Sequence, residues 1–242
     1  AGGAQLWLWR SGRLRLRSVP ADAKQRERMR AILHVGTPAA LEQLVVQAGF
    51  IAFTFIIARF FGTPALAAYG IGVQILSLSF VIGFGFSIAA STLVGQNLGA
   101  GDAVRAAHSG WRAMWLAVAS MSVLAVLIVP CAEPIARMML DEPEVVRLTV
   151  AFLRLLGVAQ PLMAVDFALG GALRGAGDTR FPLYTTFCGL ICGRVLLAAI
   201  FAALGLPVEW VYGALLADYS IKVTMLVLRF RSGRWREALP SG

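Results

Sequence analysis

The chain has 242 residues, of which 58% are hydrophobic and only 14% charged. A soluble domain carries about 25% charged residues, so this deficit, with a mean hydropathy of +0.74, excludes an ordinary soluble globular protein. The net charge of +9 does not call for nucleic acid, because the arginines stand at the ends of apolar runs, where the positive-inside bias places them.

The apolar runs are continuous, as in Phe60 to Gly101 and Ala113 to Ala132. A membrane β-barrel would alternate with period two. The expected fold is therefore all-α, a polytopic membrane protein with a six-helix transmembrane bundle.

Residues 1–9 are apolar but too short to span, and Arg10, Arg13, Arg15 and Arg17 follow them. That is the reverse of a signal peptide's order. Residues 1–30 read as the end of a preceding helix plus a basic cytoplasmic loop, so the chain is expected to be a fragment.

Six spans are predicted across 31–230. The first, 31–61, holds Pro38, Glu42, Gln43 and Gln47. Counting about 1.5 Å per residue puts Glu42 roughly 16 Å from Ala31, near mid-bilayer, where a carboxylate is costly and functional or paired. Gly62-Thr63-Pro64 turns the chain into the second span, 65–98, which carries Gln74 and Gln96. At roughly 50 Å this span is too long for the hydrocarbon core. It should tilt, bend near Gly83 and Gly85, or extend into the cytoplasm. Gly99-Ala100-Gly101-Asp102 stops it, with glycine for a left-handed C-cap and Asp102 to cap the next helix.

The third span, 102–129, ends at Pro130, and an acid-rich outside loop follows. The fourth, 143–173, contains Pro161 as a bend and one carboxylate, Asp166, in an apolar setting. Gly175-Ala176-Gly177-Asp178 repeats the earlier stop-and-start turn. The fifth, 179–204, holds Arg194, read as a tie between helices. The sixth, 208–230, holds Asp218 and Lys222, an i,i+4 pair that neutralises itself. A basic cytoplasmic tail, 231–242, closes the chain.

With both termini cytoplasmic, the inside segments hold sixteen Lys and Arg, while the outside ends hold only Arg59, Arg137 and Arg147. Splitting the second run into two helices would put the basic C-terminus outside, against this bias. Cys131, Cys188 and Cys192 lack the further pair a metal site needs, and read as small buried residues. An intramembrane enzyme is the third reading; it would need a nucleophile or a metal set such as two His with an acid, and His34 and His108 lie near cytoplasmic helix ends, far from Glu42.

Gly36-Thr37-Pro38-Ala39-Ala40-Leu41-Glu42-Gln43, then Ser91-Thr92-Leu93-Val94-Gly95-Gln96-Asn97-Leu98-Gly99-Ala100-Gly101-Asp102, then Ala172-Leu173-Arg174-Gly175-Ala176-Gly177-Asp178-Thr179-Arg180 resemble the multidrug and toxic compound extrusion (MATE) transporters. The Arg-rich close through Gly233-Arg234-Trp235 is similar too. The resemblance covers about residues 5–237 in family order. It implies one six-helix lobe, the C-terminal one, of a twelve-helix transporter whose N-terminal lobe is missing here.

The resemblance also implies export of amphipathic or cationic drugs in exchange for H⁺ or Na⁺, in a bacterial-type inner membrane. The partners are then membrane lipid and a small-molecule substrate. No cofactor or structural metal is implied; a coupling Na⁺ would sit at Asp166 or Glu42. Glu42 matches the family's acid on the first helix of the lobe by motif, and Asp166 falls on the helix that carries the second.

The chemistry needed is a site that takes proton or cationic substrate, but not both. A carboxylate in low dielectric does this, because desolvation favours its neutral form and a cation its ionised form. Glu42 is preferred as functional over a helix tie. Asp166 competes with a plainer reading, as partner of Arg174 two turns along the same helix. Gln43, Gln47 and Gln74 are cavity candidates, with Gln160 alongside; each could equally tie two helices together. Phe50, Phe53, Tyr69 and Phe80 read mainly as core or lipid-facing rings. A lipid-linked precursor flippase is the alternative function, but it calls for a cavity lined by Arg or Lys, which the sequence does not display.

Overall fold

The structure, a computed structural model, describes residues 23–139 and 141–237. The tail of a preceding helix expected at 1–9, the basic residues up to 22 and the last five residues lie outside the described residues. The chain divides into two units, Ala1–Gly36 and Thr37–Gly242. The described part of the first is helical from Ala23; the second holds the helical bundle.

Five helical elements among the described residues are long and apolar enough to cross a membrane. They are α1 (Ala23–Gly99), α2 (Ala103–Met139), α3 (Pro143–Gly175), α4 (Arg180–Ala203) and α5 (Val208–Ser232). A short 3₁₀ turn, Arg234–Glu237, follows. α1 is not one helix. Gly62 sits at φ 72° and ψ −167°, a conformation open to glycine and strained for other residues. The arms on either side, 37–61 and 63–99, overlap the predicted spans 31–61 and 65–98, so six helical arms are present among the described residues. The buried Tyr212 of α5 donates its hydroxyl to the Ala65 carbonyl (2.9 Å), tying down the start of the second arm. That arm stays helical through Gly83 and Gly85 rather than breaking there.

α3 is the central element: from Met163 to Leu173 nearly every residue is buried, while its first half leaves one face, at Arg147, Arg154 and Val158, exposed. Its contact with the second arm of α1 is made by small residues. A Cβ added at Gly171 would collide with the Ser87 carbonyl oxygen, and one at Gly175 with the Ser91 carbonyl oxygen. Small residues one turn apart let two backbones meet, which is how membrane helices gain packing without a hydrophobic driving force. Higher in the same interface, Gln160 donates to the Ser79 hydroxyl at 2.6 Å, with both residues buried. Gln160 is a helix tie.

Phe152 packs edge-to-face on Tyr69 and Tyr212. Large apolar side chains such as Val81, Ile88, Trp115, Val126 and Leu127 face outward. In a chain of this composition that surface is turned to lipid. Cys131 and Cys192 are exposed and Cys188 half-buried, so the cysteines belong to the outward surface rather than the core.

α2 differs from expectation. It passes Pro130 and Pro134 and ends at Met139. Proline removes one backbone hydrogen bond without ending a helix that packing supports. Here Ala132 and Ala136 are buried on one side, and Glu133 accepts from Arg137 on the other.

The two Gly-Ala-Gly-Asp turns share a backbone and differ in their aspartates. Gly101 and Gly177 have φ 79° and 84°. In each turn the amides of this glycine and of the following aspartate donate back to carbonyls of the preceding helix: Gly101 to Leu98, Asp102 to Asn97, Gly177 to Arg174, Asp178 to Leu173. This is the Schellman closure. Asp102 then caps α2 through the Arg105 amide at 2.8 Å. Asp178 does not cap. It accepts from Arg229 of α5 at 2.8 Å and is nearly buried.

Candidate functional site

A cavity of about 940 Å³ opens between both arms of α1 and helices α3, α4 and α5. Glu42, Gln43, Gln47 and Asp166 line it, as do the aromatic side chains of Phe50, Tyr69, Phe80 and Tyr219. Phe50, Tyr69 and Phe80 are thus cavity rings, while Phe53 is buried behind them against Tyr69. Gln74 is exposed and outside the lining. Its neighbour Val73 faces the cavity, and one residue along a helix turns the side chain by about 100°. Pro38 lies inside α1 and Pro161 inside α3, and neither ends its helix.

Glu42 is not a free carboxylate. Arg174 donates from Nη1 to both of its oxygens, at 2.9 and 3.0 Å, and the Thr186 hydroxyl donates to Oε1 at 3.1 Å. The second guanidinium nitrogen of Arg174 lies 3.4 Å from the Ser87 hydroxyl. Arg174 therefore pairs across to α1 and leaves Asp166, on its own helix, without it. Among the described residues Asp166 has no hydrogen-bond or ion-pair partner. The charges that act on it most are Lys222, Asp218, Arg174 and Glu42.

The two acids stand at different distances from the α3–α4 turn. Glu42 is held at the level of Thr186, six residues into α4, or about 9 Å from the α3–α4 turn by helical rise. Asp166 lies nine residues before the end of α3, about 14 Å in, and is the deeper acid.

A second charge cluster lies behind the aromatic rings. Arg194 reaches Asp218 at 2.6 Å, and Lys222 reaches the other carboxylate oxygen at 3.1 Å. The three side chains are 3%, 0% and 7% exposed, in the order Arg194, Asp218, Lys222. The pairing of Asp218 with Lys222 and the tie made by Arg194 were both legible in sequence; their union was not. The backbone that makes it is unusual. Residues Phe187–Leu196 of α4 are π-helical, and such segments recur where a side chain must be re-aimed. Gly189 and Gly193 in this segment pack directly on Asp218, which leaves Arg194 aimed at it. Arg194 also lies over the rings of Phe50 and Tyr219, at 5.8 and 5.4 Å.

Arg174, Arg194 and Lys222 all line the cavity, so the expectation of a lining free of Arg and Lys is corrected. Each of the three is paired with Glu42 or Asp218. With Asp166, the three acids and three bases cancel formally.

Against known proteins, the family model described as MatE matches residues 38–200. A probable multidrug resistance protein NorM from Thermotoga maritima is 31% identical over 212 residues, covering 85% of this chain and 44% of that protein. A multidrug resistance protein NorM from Burkholderia vietnamiensis is 33% identical over 192 residues, covering 77% and 41%. The chain thus spans less than half the length of these curated relatives. The crystal structure of the Vibrio cholerae MATE transporter VcmN in its bent form superposes with a TM-score of 0.80 at 17% identity, covering 95% of this chain and 51% of that one. At that identity the likeness concerns the fold.

Proposed function

Because this chain belongs to the MatE family, we propose that it forms one lobe of a two-lobed, cation-coupled efflux transporter for amphipathic or cationic drugs. The observation that carries this reading is the pair of cavity acids, Glu42 and Asp166, set among Phe50, Tyr69, Phe80 and Tyr219 in a volume of about 940 Å³. Rings supply apolar contact and cation–π attraction for a planar cation. The acids supply the charge that H⁺, Na⁺ or drug must share. Exchange follows if each partner binds the inward-open and outward-open states with different affinity, since only differential affinity moves such an equilibrium. The share of NorM relatives that this chain covers fits a single lobe of that machine. The flippase alternative is weaker, because the basic side chains of the cavity are already paired with acids.

The test is transport of ethidium by proteoliposomes under an imposed H⁺ or Na⁺ gradient. Vesicles holding this chain with a matching amino-terminal lobe are expected to move ethidium and dissipate one gradient. Vesicles holding the chain alone should not. Absence of gradient-coupled movement in the two-lobed vesicles overturns the reading.

A further inference from the structure

Arg174 and Glu42 differ from the Asp218 cluster in one respect. Their side chains are 29% and 16% exposed, on the wall of the cavity, whereas Arg194 and Lys222 touch that wall with side chains only 3% and 7% exposed and the Asp218 carboxylate between them is fully buried. An ion pair that faces the cavity is reachable by a competing ion. From this we infer that Arg174 is an internal cation that occupies the Glu42 carboxylate when no external cation is there. A cation entering from the cavity loads Glu42 by displacing the guanidinium. The inference rests on the reading of the cavity as a cation site, and it makes Arg174 a positioning residue that acts through Glu42.

Three features support it. One nitrogen, Nη1, covers both oxygens of Glu42, so the place a small cation or an ammonium group would take is filled. The guanidinium has somewhere to go: it folds back over Gly170, where an added Cβ would lie 3.3 Å from Nη2, and Ser87 offers a second acceptor at 3.4 Å. Gly170 stands one turn from Asp166 on α3, and Asp166 has no hydrogen-bond or ion-pair partner among the described residues. Thr186 stays on Glu42 in either case, and its hydroxyl holds the carboxylate in place through the exchange.

The experiment measures binding of ethidium and of tetraphenylphosphonium to the purified protein in detergent, with folding checked by circular dichroism and gel filtration. Arg174→Gln should bind both cations at least about fivefold more tightly than the unaltered protein. Glu42→Gln should bind them more weakly, and the double variant should match Glu42→Gln alone. Arg174→Lys keeps a charge but loses the planar fork. It should tighten binding by a smaller factor, and it keeps the test open if Arg174→Gln does not fold. A folded Arg174 variant whose affinity is unchanged or lower, in a protein whose unaltered form binds, overturns the inference alone. Failure of the unaltered protein and of every folded variant to bind either cation overturns the cation-cavity reading together with it.

Discussion

Arg194 of α4 and Asp218 of α5 form a 2.6 Å ion pair with almost no exposed surface, and Lys222 takes the other oxygen of the same carboxylate. One anion thus holds two cations inside the helix bundle. Removing the anion leaves both cations buried and unpaired, which costs several kcal/mol. Asp218→Asn is therefore expected to lower stability by about 3–5 kcal/mol. Thermal unfolding in detergent reads this out. Adding Lys222→Met should recover part of the loss, and an additive double variant would show that the two residues are not coupled.

The small-residue contact between α3 and the second arm of α1 makes a separate expectation. Gly175→Ala places a methyl group against the Ser91 carbonyl oxygen, a backbone atom that cannot swing away. The helices must separate, and overpacking of this kind costs about 1–3 kcal/mol. Gly170→Ala meets only the flexible tip of Arg174 and should cost less. Melting temperatures of the two variants, compared side by side, check the order.

The two repeated turns should respond differently to the same substitution. Asp102→Ala removes an N-cap, worth about 1 kcal/mol. Asp178→Ala strips Arg229 of its nearly buried partner and should cost about 3 kcal/mol. Equal losses at the two sites would contradict the different roles that the geometry gives them.

For transport, Glu42→Gln and Asp166→Asn should each abolish coupled ethidium movement in two-lobed vesicles while leaving membrane levels unchanged. Undiminished exchange in either variant removes that acid from the mechanism. Gln74→Ala, outside the cavity lining, should leave exchange within about twofold of the unaltered protein.

Much of this was legible without coordinates, because the determining physics is local. Continuous apolar runs separated by glycine turns fix helices in lipid, where every backbone polar group must be satisfied within the segment. Gly62, Gly101 and Gly177 marked their turns because each stands at a positive φ that side chains avoid. The i,i+4 spacing made the pairing of Asp218 with Lys222 readable. Glu42 and Asp166 stood out because acids are rare among apolar neighbours, and both do line one cavity.

Partners across helices were a different matter. Arg174 lies eight residues from Asp166 yet binds Glu42, 132 positions away. Arg194 reaches Asp218 through a π-helical stretch that no spacing rule announces. α2 runs through two prolines because Ala132 and Ala136 are packed on their inner side. In each case the outcome is set by which helix faces meet, and that depends on the close approach of backbones at Gly171, Gly175, Gly189 and Gly193. Sequence alone determined that this chain crosses a membrane several times and carries acids within its spans. Tertiary packing decided which acid is paired and which is free, because an ion pair forms where backbones bring charges within about 4 Å, at whatever distance they stand along the chain.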